Sequence, residues 1–213
     1  VDRLVGSEMC IRDRSYDAKN EEIILNHKPR IISEDRIIKG DQIKLNYTDE
    51  VLERIFIPKN AFITSASVGY NQLNIDSSNT LIRFEDRMSS KVLNGFFMNG
   101  SLDSLRLIGM ASTTYHLFED SLYKGKNLTS GDTIIMRFDE KDLDDIVVDG
   151  GSQGEYVPNK KTNDSDFPLI YSADRIDYFL KTETTKLIGN AKAKHETQIL
   201  KQALSKSIGP LEF

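Results

Sequence analysis

The sequence predicts an all-β fold in which stacked antiparallel hairpins form two facing sheets. Three observations carry that prediction. Apolar and polar residues alternate over short runs, as they do in a strand with one buried and one wet face. One such unit, Gly40 to Ile57, returns without a gap at Gly131 to Val148. Asn-Gly and Asp-rich turns separate the runs, as antiparallel partners require. A lone hairpin cannot bury its apolar face, but a stack of hairpins can. Because the alternation is one-sided, two sheets should face each other across an apolar interior.

The first stretch departs from this grammar. Leu4 to Arg14 reads LVGSEMCIRDR. It back-translates into DNA resembling a widely used sequencing adapter read through in frame. Residues 1–14 are therefore expected to be an assembly artefact and not native sequence. Residues 15–213 are expected to form a single domain, truncated at its front and with an undefined C-terminal end. That leaves 213 − 14 = 199 residues, enough for one large domain or two small ones. No composition boundary divides them. Cys10 is the only cysteine and lies in the artefact, so the rest of the chain offers no disulfide, thiolate nucleophile or cysteine–zinc site.

The net charge is −5. Sequence-independent nucleic-acid binding draws on clustered Lys and Arg, so no nucleic-acid partner is expected. No apolar run approaches the roughly 18 residues of a membrane-spanning helix.

In order along the chain, Ile43, Leu45 and Tyr47 point one way while Gln42, Lys44 and Asn46 point the other. A turn at Asp49-Glu50 follows, then a return through Leu52, Ile55 and Ile57. A weaker copy has Leu93 and Phe97, a turn at Asn99-Gly100, and Leu102, Leu105 and Leu107. The close copy has Ile134, Met136 and Phe138, an acidic turn, then Ile146 and Val148. A fourth has Ile176, Tyr178 and Leu180, a turn over Lys181–Thr184, and a returning strand at Lys186–Lys194. Gly69–Thr80 and Val157–Pro168 read as long loops. Near the end, Ile199, Leu200, Ala203 and Leu204 fit a short capping helix, a final strand pair or a second assembly error.

Chemical motifs are weak. GGSQG at Gly150–Gly154 matches the letters of a nucleophile elbow with Ser152 as nucleophile, but that elbow needs a helix after it, and Glu155 to Pro158 read as extended. A hydrolase using Ser152 is a minor alternative. His27, His116 and His195 are isolated, so no metal site and no cofactor are expected. The acidic run Asp139–Asp145 lacks the spaced ligands and glycine of a calcium loop and reads as a solvated turn.

The residues now in view resemble the OstA-like (LptA-like) family of lipopolysaccharide export. The resemblance rests on a Gly-x-Asn before a Ser-Gly-Asp-x-Ile strand at Gly125–Ile134 and a Gly-Glu-Tyr-x-Pro close at Gly154–Pro158. An Ala-Asp-x-Ile-x-Tyr…Leu-x-Gly-Asn-Ala unit at Ala173–Ala191 adds to it. It implies an open β-jellyroll whose trough holds lipid acyl chains in the periplasm. It also implies lipopolysaccharide or a related glycolipid as ligand, other jellyroll domains joined by edge-strand pairing, and an outer-membrane translocon partner. The residues facing the lipid would be Ile43, Leu45, Tyr47, Ile55, Ile57, Phe97, Ile134, Met136, Phe138, Ile146, Val148, Ile176 and Tyr178. A structural or interaction domain with the same residues in a dry core is the main alternative, since strand faces usually bury one another.

Overall fold

The structure, a computed structural model, describes residues 8–10, 14–17, 19, 21–33, 35–71, 81–139, 142–161, 167–182, 184–195, 198–201 and 206–207. In chain order the strands are β1 (Glu8–Cys10), β2 (Arg14–Asp17), β3 (Glu22–Leu25), β4 (Arg30–Ile32), β5 (Arg36–Lys39) and β6 (Ile43–Thr48). They continue as β7 (Val51–Ile57), β8 (Ala61–Tyr70), β9 (Leu81–Ser90), β10 (Val92–Met98), β11 (Ser101–Glu119) and β12 (Leu122–Asp139). The last are β13 (Asp142–Pro158), β14 (Leu169–Phe179), β15 (Thr184–Ile188), β16 (Lys192–His195), β17 (Gln198–Lys201) and β18 (Lys206–Ser207). Among the described residues the one helical element is a single turn at Leu180–Thr182.

All the strands join one hydrogen-bonded sheet that folds over on itself. The fold line is visible in the pairing. The start of β11 pairs with β10, whereas Ser112–Thr114 pairs with β9. At the other side, Arg175–Phe179 of β14 pairs with β15, whereas Leu169–Ser172 pairs with β16. Strands β12 and β13 run through both layers with a register break between Ser130 and Thr133. Sheet I is thus β3-β6-β7-β10 followed by one half of β11 to β14 and β15. Sheet II is β4-β5-β8-β9 followed by the other half of β11 to β14 and β16. The fold is an all-β jellyroll of two facing layers, built from antiparallel hairpins.

The layers turn into each other where the backbone adopts positive φ. Gly109 and Met110 (φ 78° and 51°) bend β11, and Gly150 and Gly151 (φ 80° and 58°) bend β13. A side chain is strained there, so a glycine pair suits a strand that must turn without ending. The Gly-Asp pair of the sequence repeat has the same duty: Gly40-Asp41 separates β5 from β6, and Gly131-Asp132 sits at the register break of β12. The hairpin tips are type I′-like, with positive φ at Asp49-Glu50, Asn99-Gly100 and Asp120-Ser121. These turns match the twist of the strands they join.

Several expectations change. The units read as hairpins are longer than that: four strands, β11 to β14, continue past the corner into the second layer. The returning strand expected at Lys186–Lys194 is broken by Gly189 and Asn190 (φ 70° and 46°) into β15 and β16. Near the C-terminus, β17 pairs with β16 and β18 with β15, so strands form there and not a helix in the described part. Most of the loop Gly69–Thr80 and the middle of Val157–Pro168 lie outside the described residues. So do residues 1–7 and 11–13 of the expected artefact, although Glu8–Cys10 pairs with Arg30–Ile32 of β4. Backbone pairing at an open edge accepts almost any sequence.

Candidate functional site: the interior between the two layers

The expected interior residues come together. Ile43 and Leu45 of β6, Ile55 and Ile57 of β7, Ile134 and Met136 of β12, Ile146 and Val148 of β13, and Ile176 and Tyr178 of β14 share one buried cluster. They do so because each strand presents alternate residues to the same side and the registers keep these positions in rows. Leu45 lies opposite Ile55, Met136 opposite Ile146, and Val148 opposite Ile176. Full burial of each aliphatic side chain contributes about 1.5–3 kcal/mol. Sheet II adds Ala61, Ile63, Ala111, Tyr171 and Ala173.

Tyr47, Phe97 and Phe138 differ from the rest. Each packs against the cluster but keeps part of its surface open. All three follow a β-bulge and precede a hairpin tip, where they pair with Leu52, Leu102 and Leu143. Their hairpins are neighbours in sheet I, through the β7–β10 and β11–β12 ladders. The result is a row of half-exposed aromatic–leucine pairs along one rim of the interior. The extra residue of each bulge lies in the returning strand (Glu53, Asp103 and Asp144), so each ring keeps the inward phase of its own strand and the bulge sets a leucine opposite it at the lip. Behind this rim the interior is closed: Met136 is 2% exposed, and Ile43, Ile57, Ile134, Val148 and Ile176 are fully buried.

The part under sheet II is not wholly aliphatic. A buried chain of hydrogen bonds runs from Thr129 to Tyr178 (3.2 Å), Tyr178 to Tyr171 (3.0 Å), Tyr171 to Asn127 (3.0 Å) and Asn127 to Tyr115 (3.0 Å). Tyr178 belongs to sheet I and its partners to sheet II, so the chain ties the layers together. Burial pushes the Tyr115 hydroxyl up to about 12 and raises Tyr171 and Tyr178 as well. These phenols therefore stay protonated and remain donors. Gly154 leaves the space that the Tyr171 ring fills, since a Cβ there would lie 2.2 Å from the ring. Of this network the sequence reading named only Tyr178, and as an apolar wall residue. A signal was present: the inward phase Leu105, Leu107 continues through Ala111, Thr113 and Tyr115 on odd positions.

Ser152 is no nucleophile elbow. It lies inside β13, directly after the Gly150-Gly151 bend and with extended chain and no helix following it, is fully buried, and has as acceptors the carbonyls of Val148 (2.9 Å) and Asp174 (3.2 Å). It staples two adjacent corners. His116 is half-buried, with Nδ1 2.8 Å from Asp86 Oδ1 and its ring among Phe84 and Tyr123. In the acidic run, Asp139 and Asp144 both reach Lys181, at 2.7 and 3.1 Å, and Asp145 holds Arg137 at 2.7 Å. Among the described residues no group of three potential ligands could hold a metal ion.

No family model matches the chain, and no curated protein matches its sequence. Among solved structures it is similar to LptH, the LptA homologous periplasmic component of the lipopolysaccharide transport device of Pseudomonas aeruginosa. That similarity has a TM-score of 0.44 and 10% identity, over 77% of this chain and 92% of LptH.

Proposed function

We propose that this chain is a non-catalytic, lipid-carrying module. Its interior takes the acyl chains of lipopolysaccharide or a related glycolipid, in the periplasm, and its exposed edge strands join it to other jellyroll domains that lead to an outer-membrane translocon. The observation that carries this reading is the rim. Tyr47, Phe97 and Phe138 form a half-exposed apolar row continuous with a buried apolar interior. An acyl chain needs such a continuous path, and each methylene it buries contributes about 0.8 kcal/mol. The cadence of the repeat units, which resembles the OstA-like family, supports the same reading.

A second reading has its own observation. The wall behind the rim is closed, with Ile43, Ile134 and Ile176 fully buried against neighbouring side chains. A structural β-domain with a dry core would look like this. For the lipid reading, the layers must part behind the rim when an acyl chain enters.

A photo-crosslinkable residue at Phe97 separates the two. Delipidated protein titrated with lipopolysaccharide should crosslink there, and Phe138→Asp should remain folded yet lose the crosslink. Asp142→Lys, on the exposed turn side, should crosslink as the parent does. Met136→Asp should unfold the protein on either reading, because an unpaired buried carboxylate costs several kcal/mol. Folded Phe138→Asp that still crosslinks like the parent would sink the lipid reading at this rim.

A further inference from the structure

The buried polar chain has more hydrogen-bond donors than it uses. It links four hydroxyl groups and one amide by four bonds. Tyr171 gives its proton to the Asn127 carbonyl oxygen, so Tyr178 must donate to Tyr171 and Thr129 to Tyr178. Asn127 donates to the Tyr115 oxygen, which leaves the Tyr115 proton without an acceptor. Turning the amide round reverses the chain and strands the Thr129 proton instead. Either way one hydroxyl proton is left over inside the protein, an arrangement that is costly unless something accepts it. Thr113 provides a second, independent sign. Its hydroxyl is buried, the residue being 4% exposed, and it has no hydrogen-bond partner at all. Thr113 and Tyr115 stand two apart on the inward face of β11, and their cross-strand neighbours are Thr129 and Asn127. The surplus donors therefore cluster on one inner patch of sheet II.

We propose that this patch is a recognition site for an oxygen substituent on an acyl chain, so that the module prefers hydroxylated acyl chains to plain ones. This rests on the lipid-carrying reading and names its substrate class. A ligand oxygen lying over β11 would accept from Thr113 and Tyr115 together and satisfy both. An unsubstituted chain would leave both unpaired, whereas a site that hydrogen-bonds a ligand oxygen discriminates strongly against the analogue lacking it. The aliphatic walls of sheet I take the rest of the chain in either case.

The test uses the full chain, delipidated, and a fluorescent acyl probe displaced by stearate or by a series of hydroxystearates differing in hydroxyl position. At least one hydroxystearate should bind about fivefold or more tightly than stearate, the worth of one net hydrogen bond. Thr113→Val keeps the volume and removes an unpartnered hydroxyl, so it folds; it should bring the hydroxystearate affinity down towards that of stearate. Tyr115→Phe should do the same. Equal binding of stearate and every hydroxystearate to the parent would overturn this inference while leaving the lipid-carrying reading intact. A preference that survives in both variants would overturn it too. Binding of none of the acids, stearate included, would overturn the lipid-carrying reading itself and this inference with it.

Discussion

Ser152→Ala separates a structural staple from a catalytic serine. The hydroxyl is fully buried and has two carbonyl acceptors, Val148 four residues back in its own strand and Asp174 in the neighbouring strand. Alanine removes one donor, leaves little volume change, and strips both carbonyls of that partner. A buried hydrogen bond contributes about 0.5–1.5 kcal/mol net, and an acceptor left unsatisfied adds to the loss, so the expected cost is about 1–3 kcal/mol. For a protein of this size that is a fall of roughly 2–4 °C in Tm per kcal/mol. Urea unfolding followed by far-ultraviolet circular dichroism should show a lower midpoint with an unchanged slope. An ester-hydrolysis assay should give the same background for parent and variant. A midpoint that does not move would mean that the hydroxyl carries no load at the corner. Loss of a measurable esterase activity with stability intact would refute the staple and revive the nucleophile.

Two further outcomes are expected. The buried tyrosines make stability sensitive to alkali: burial raises Tyr115, Tyr171 and Tyr178 above the unfolded value of 10.0, so the unfolded chain loses these protons first. Stability is then intact below about pH 10 and falls as pH rises towards about 12; tyrosinate absorbance should appear together with unfolding, and Tyr115→Phe should flatten part of the fall. Deleting residues 1–14 should change the unfolding free energy by less than about 1 kcal/mol, because what is described of them is backbone pairing at sheet edges; a larger loss would count against their being an assembly artefact.

The alternation in Ile43–Tyr47 and Ile134–Phe138 determined by itself that these segments are strands, which residues face inward, and where their hairpins turn. Period two is a local property of an extended chain, and a turn such as Asn99-Gly100 is read from two residues. The Gly-Asp pairs of the repeat, Gly40-Asp41 and Gly131-Asp132, stand where the layers change, a role that only the folded structure assigns them. The sequence was silent on whether a strand ends at a corner or runs through it. Gly109-Met110 and Gly150-Gly151 bend strands without stopping them, and that outcome depends on which neighbours supply the ladder on each side of the bend: β10 or β9 for β11, β15 or β16 for β14. Nor could alternation separate the open rim from the closed wall, because Tyr47 and Ile43 share a phase and differ only in a bulge and a place near the hairpin tip. The polar chain from Thr129 to Tyr115 draws on three strands, β11, β12 and β14. Its members lie up to 178 − 115 = 63 positions apart, and hydrogen bonds between side chains that distant exist only once the folded sheet has brought them face to face.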